Sequence, residues 1–198
     1  NKLSTLKLIV VLRDPISREL SAYNQKKYIY LRGKEKGQQA YSKSINSWVG
    51  DIAFDDGRLM SFDDYSGLVL KSQLSQPSWR NTGYYVDHLK QWASLFSREQ
   101  LLVLSYDEFK EYPDVTQWRI ETFLAGSKLP GEIVKKNTSE GKGKIALIPC
   151  PARRLLRSLF DKKNEELYDY LESHPGPSME QRPFPRFELP NCEEVVEW

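Results

Sequence analysis

The sequence predicts an α/β domain on a parallel sheet, from three observations: an apolar, β-branched run at residues 6–12, a second at 100–105, and amphipathic helical spacing around them. Residues 6–12 (LKLIVVL) run at once into Arg13, Asp14 and Pro15, the pattern of a strand buried on both faces that turns directly into a helix. Asp14 suits the N-cap, Pro15 the first helical turn, and residues 16–25 the helix body. Residues 32–57 are polar, with Gly, Lys and scattered aromatics, and read as a long excursion without core elements. From Thr82 onward, Tyr85, His88, Leu89, Trp92, Leu95 and Phe96 recur at three- and four-residue spacing and mark a helix whose apolar stripe faces the sheet. The run 100–105 (QLLVLS) is the second buried strand. Helical spacing resumes at 115–124 and stops at Gly126, and another amphipathic helix covers about 152–171. A Gly- and Lys-rich loop lies between those helices, and the Pro-rich tail is irregular.

Composition bounds the rest. A chain of 198 residues with 39% hydrophobic content can bury a core and fits one domain, residues 1–198. Twenty-nine basic against 27 acidic residues leave no strong global field, so nucleic acid is not an expected partner and an anion site must be local. No apolar run approaches bilayer length, and no secretory leader pattern opens the chain. No metal-ligand spacing occurs, and no metal is expected. Asn137-Thr138-Ser139 is a formal glycan acceptor tripeptide. Cys150 and Cys192 read first as two buried thiols and second as one disulfide.

The carboxyl ends of parallel strands, where helix N-termini present free N–H groups, are where such sheets hold anions. Arg13 sits at that edge, and Ser21 follows about two helical turns later, so a guanidinium fork and a hydroxyl are available to one phosphate. The plain alternative is that Arg13 pairs with a nearby carboxylate and Ser21 is a packing residue.

LKLIVVLRDPISRELSAYNQ closely resembles the 3′-phosphate-binding segment of sulfotransferases that use 3′-phosphoadenosine-5′-phosphosulfate, above all the heparan sulfate N- and 3-O-sulfotransferase branch. TGYYVDHLKQWASLFSREQLLVLSYDEFKEYP is similar to that branch's G-x-Y-x-x-H-L-x-x-W helix and the strand after it, matching at Gly83, Tyr85, His88, Trp92, Gln100 and Ser105. NTSEGKGK resembles, more distantly, a loop that closes over the cofactor, with Lys142, Gly143 and Lys144 as counterparts and Lys where an Arg is usual.

The resemblance implies a P-loop-like three-layer sandwich with a central parallel sheet flanked by helices. It implies sulfuryl transfer from the phosphosulfate donor, leaving 3′-phosphoadenosine-5′-phosphate, to a hydroxyl or amine of an acceptor, a glycan first and a small molecule or polyketide second. Cofactor binding then falls to Arg13, Ser21, Lys142, Gly143 and Lys144, and acceptor binding to Tyr85, His88 and Trp92. His88 is also the candidate base, set against a core-edge histidine packed between Tyr85 and Trp92. The family's opening strand and phosphosulfate loop, with its catalytic Glu, have no counterpart in these residues. An N-terminally incomplete domain is therefore expected, with the main base upstream of Asn1. A Golgi lumen location follows for a eukaryotic glycan enzyme, and a cytoplasmic one otherwise. A non-catalytic carbohydrate-binding homologue and a P-loop phosphotransferase are the rival readings.

Overall fold

The computed structural model describes residues 5–35, 52–54, 56–75, 82–125, 147–176, 183–189 and 192. In chain order the elements are β1 (Leu8–Leu12), α1 (Pro15–Glu35), α2 (Phe62–Ser75), α3 (Tyr85–Ala93), a 3₁₀ turn (Arg98–Gln100), β2 (Leu101–Ser105), α4 (Tyr106–Glu111), α5 (Pro113–Phe123) and α6 (Cys150–Ser173). They fall into two compact units. The first holds residues 1–14, 78–137 and 161–188, the second residues 15–77, 138–160 and 189–198.

In the first unit β1 and β2 pair in parallel, from Leu8 opposite Leu101 to Leu12 opposite Ser105. Side chains alternate across a strand, so two cores form. Leu12 and Val103 pack with Val86 and Leu89 of α3 and Leu167 and Leu171 of α6. Leu102 and Leu104 pack with Ile120 and Phe123 of α5. Helices thus flank the strand pair on both faces, the α/β layering that the alternating elements predict. β1 departs from expectation, because Ile9 and Val11 are 39% and 44% exposed and, among the described residues, the strand is covered on one face only. The α5 core is built on β2 and leaves these two side chains outside it. The amino ends are lashed together by side chains: the Gln100 amide donates to the Leu6 carbonyl (2.9 Å) and the Lys7 ammonium to that of Glu99 (2.6 Å).

No loop separates β2 from α4. The Ser105 hydroxyl accepts from the Asp107 N–H at 3.2 Å, and the Glu108 carboxylate accepts from the Ser105 N–H at 3.2 Å, a capping box that satisfies two orphan donors. Glu108 also takes two hydrogen bonds from one Arg119 nitrogen, at 2.9 and 3.0 Å. Both side chains are almost wholly buried.

The second unit holds most of what differs from the sequence reading. α1 runs on to Glu35, ten residues past its expected end, because residues in its second half find partners. Lys26 is buried with its ammonium over the Tyr65 ring, and the Tyr30 hydroxyl donates to the Gly57 carbonyl. The excursion does supply core: Ile52 is fully buried and sits beside a bridge between Ala53 and Leu59, closed by Gly57 at φ +77°, a conformation open to glycine. α2 has no counterpart in the sequence reading. Ser61 and Asp64 cap each other's N–H groups at 3.1 Å, and Phe62, Tyr65, Ser66 and Val69 form its buried stripe. Asp63 accepts from the Ala152 N–H at 2.8 Å, which caps the start of α6. Cys150 and Cys192 are joined in a disulfide, which corrects the buried-thiol reading. Packing brings residues 42 apart in sequence to a Cα separation of 4.9 Å, within bonding reach.

Among the described residues no helix is long and apolar enough to cross a membrane.

Candidate functional site

The carboxyl edge of the strand pair is where β1 ends at Leu12 beside Ser105 and the chain continues as Arg13. Arg13 is partly exposed. Its guanidinium lies over the Tyr106 ring, 4.9 Å from the centroid. A guanidinium held over a ring by its charge remains able to give N–H donors to an anion. Among the described residues Arg13 has no ion pair with a carboxylate, the plain alternative for such a residue. Its backbone is held separately, since the Tyr85 hydroxyl donates to the Arg13 carbonyl at 2.8 Å. This setting fits a phosphate.

The remaining expected site residues are distributed as follows. Ser21 is half-buried on α1, in the second unit. Tyr85 joins Arg13 through the contact just given, so its hydroxyl serves the strand end, while its ring packs against Phe187. His88 is half-buried one turn later on α3. Trp92 is 46% exposed and stacks on Phe96 with centroids 5.7 Å apart. Lys142, Gly143, Lys144 and Asn137 lie outside the described residues. So does Asn1, and the main base expected upstream of it rests on the family resemblance alone.

Neither Tyr106 nor Tyr168 is among the site residues expected from the sequence. The first is the residue after β2, so the rule that points to strand carboxyl ends reaches it as it reaches Arg13. The second depends on contacts distant in sequence. Burial pushes the Tyr168 phenol up to about 12; the Phe187 N–H that it accepts opposes the rise, and the carboxylate of Asp14, next to Arg13, adds to it.

The folded chain therefore keeps the Tyr168 proton after the unfolded chain has begun to lose it, above about 10. Tyr168's contribution to stability is whole below that pH and is lost as pH climbs through about 12. The urea midpoint of the wild type should fall across this window and that of Tyr168→Phe should fall less. Parallel curves for the two proteins would remove Tyr168 as a source of alkaline lability.

A cavity of about 150 Å³ opens around the amino half of β2, between Leu89, Phe96, Leu101, Val103, Tyr170 and His174. Its lining is mainly apolar, and it lies toward the other end of the strand from Arg13.

Three comparisons bear on this arrangement. The family model of the sulfotransferase domain matches residues 2–140. Heparan sulfate glucosamine 3-O-sulfotransferase 5 of Homo sapiens is 27% identical over 134 residues, which is 68% of this chain and 32% of that protein. A crystal structure of a sulfotransferase from Alicyclobacillus acidocaldarius aligns over 84% of this chain and 54% of its own, at 19% identity and a TM-score of 0.45. The chain spans about a third of the human protein's length and about half of the bacterial one's.

Proposed function

The chain belongs to the sulfotransferase domain family, matched over residues 2–140, and from that premise we propose that it transfers a sulfuryl group from 3′-phosphoadenosine-5′-phosphosulfate to a hydroxyl or amine of a glycan. When bound, the donor supplies an activated sulfuryl group, so that the acceptor's oxygen or nitrogen bonds to sulfur as the bond from sulfur to the 5′-phosphate oxygen breaks.

The observation that carries the donor reading is the setting of Arg13 at the carboxyl edge of a parallel pair, over the Tyr106 ring and without a carboxylate partner among the described residues. Its fork of donors suits the 3′-phosphate, and the family resemblance assigns the Ser21 hydroxyl to the same group. Lys142, Gly143 and Lys144 have the composition of a phosphate clasp. Binding energy gained at that remote phosphate can be spent on aligning the reacting end. His88 is the candidate acceptor of the proton that the attacking group gives up. Tyr85, His88 and Trp92 are proposed to border the acceptor, and the exposed indole of Trp92 is a surface on which a sugar ring can stack. A glycan acceptor is supported by the name of the human relative. An oxidising compartment such as the Golgi lumen suits a chain with the Cys150–Cys192 bond.

The test is ligand-linked stability of the full chain. 3′-Phosphoadenosine-5′-phosphate at about one hundred times its Kd should stabilise the folded state by about 2.7 kcal/mol, and ATP should not. Equal stabilisation by ATP, or none by the sulfotransferase product, would sink the donor reading. Transfer of labelled sulfate to heparan-type chains, against small hydroxylated compounds, then identifies the acceptor class.

A further inference from the structure

We propose that the segment 183–188 is a positioning strap for the anion site, with Phe187 acting on Arg13 through Tyr85; this rests on the donor reading of Arg13. The contacts run without a break inside the first unit. The Phe187 ring meets Tyr85 edge-on, centroids 6.4 Å apart and planes at 69°. The Tyr85 hydroxyl donates to the Arg13 carbonyl at 2.8 Å, and the Arg13 guanidinium then rests on Tyr106.

Phe187 is itself held from three sides. Its N–H donates to the Tyr168 hydroxyl at 2.9 Å. Its ring packs on Tyr168 at 5.8 Å and on Phe184 at 5.6 Å. The neighbouring Arg186 places one nitrogen on both oxygens of Glu165, at 2.7 and 2.8 Å, and its guanidinium over the Tyr168 ring at 4.7 Å. Glu165 and Tyr168 stand one turn apart on α6, so the strap is fastened to a regular element and meets Tyr85, the first residue of α3.

The segment has no regular secondary structure, and its place in the molecule comes from these side-chain contacts. A phenol whose ring can slide does not hold a carbonyl at a fixed point, and an arginine whose backbone shifts by a fraction of an ångström loses bidentate geometry. Phe187 is therefore a positioning residue that touches neither donor nor acceptor.

Phe187→Ala in the full chain should raise the Kd for 3′-phosphoadenosine-5′-phosphate about threefold to tenfold. The KM for the donor should rise by the same factor, with kcat at saturating donor and acceptor unchanged. Phe187→Tyr, which keeps the ring, should restore affinity. Because the path runs through one hydroxyl, Tyr85→Phe should produce a similar loss, and adding Phe187→Ala to it should cost little more. Wild-type affinity in a folded Phe187→Ala protein would overturn the proposal, as would multiplication of the two losses in the double variant. Should Phe187→Ala not fold, Phe187→Leu decides by the same criteria. Failure of the underlying donor reading is distinguishable, since Arg13→Ala would then leave affinity for the nucleotide unaltered.

Discussion

Arg13→Ala should bind 3′-phosphoadenosine-5′-phosphate about 2–4 kcal/mol more weakly than the wild type, roughly thirtyfold to seven-hundredfold, by calorimetric titration. The loss combines a charge with a directional fork, so Arg13→Lys should recover only part of it: an ammonium keeps the charge but lacks the planar fork of donors. Fold stability should barely change, because Tyr85 grips the backbone carbonyl of Arg13 and leaves the side chain out of that bond. A protein that keeps both its stability and its nucleotide affinity would remove Arg13 from the site.

Glu108→Ala should destabilise the fold by about 3–5 kcal/mol in urea unfolding, because the buried Arg119 guanidinium, 2% exposed, then loses the carboxylate that accepts two of its hydrogen bonds. The same carboxylate accepts the Ser105 N–H, so the start of α4 loses a cap as well. Combining Glu108→Leu with Arg119→Met should be far milder than either single change. Both members of the buried pair are then replaced by apolar side chains, and the uncapped Ser105 N–H costs about 1 kcal/mol. A single variant within about 1 kcal/mol of the wild type would show that solvent reaches the pair.

What the residues reveal on reading, and what they conceal, follows from the range of the interaction involved. β1, β2 and the helix α3 are local patterns, and the structure reproduces them with ends shifted by a residue or a few. Of the expected α3 stripe, however, only Leu89 is buried: Val86 joins it, Trp92 and Leu95 are exposed, and the helix ends at Ala93 before Leu95 and Phe96. Arg13 is legible for the same reason, since a strand that runs into Asp-Pro marks its own carboxyl edge. α2 carries a local signal that its polar surroundings obscure: Phe62, Tyr65, Ser66 and Val69 at helical spacing behind a Ser61-x-x-Asp64 cap. The second half of α1 and the burial of Ile52 are different. They depend on partners such as Tyr65, Gly57 and Met60 that no spacing within either segment discloses. The exposed face of β1 depends likewise on which strand α5 covers. Tyr106 under Arg13, and Phe187 behind Tyr85, join positions about ninety or a hundred apart, and only folding brings them together.

The bond between Cys150 and Cys192 closes 42 residues of separation into a covalent ring. A protease that cuts once inside that ring releases nothing, because both fragments stay attached through sulfur. Nicked molecules would travel with intact ones on a denaturing gel and part only when a reductant is added, so the integrity of this protein is read correctly only with the thiols freed.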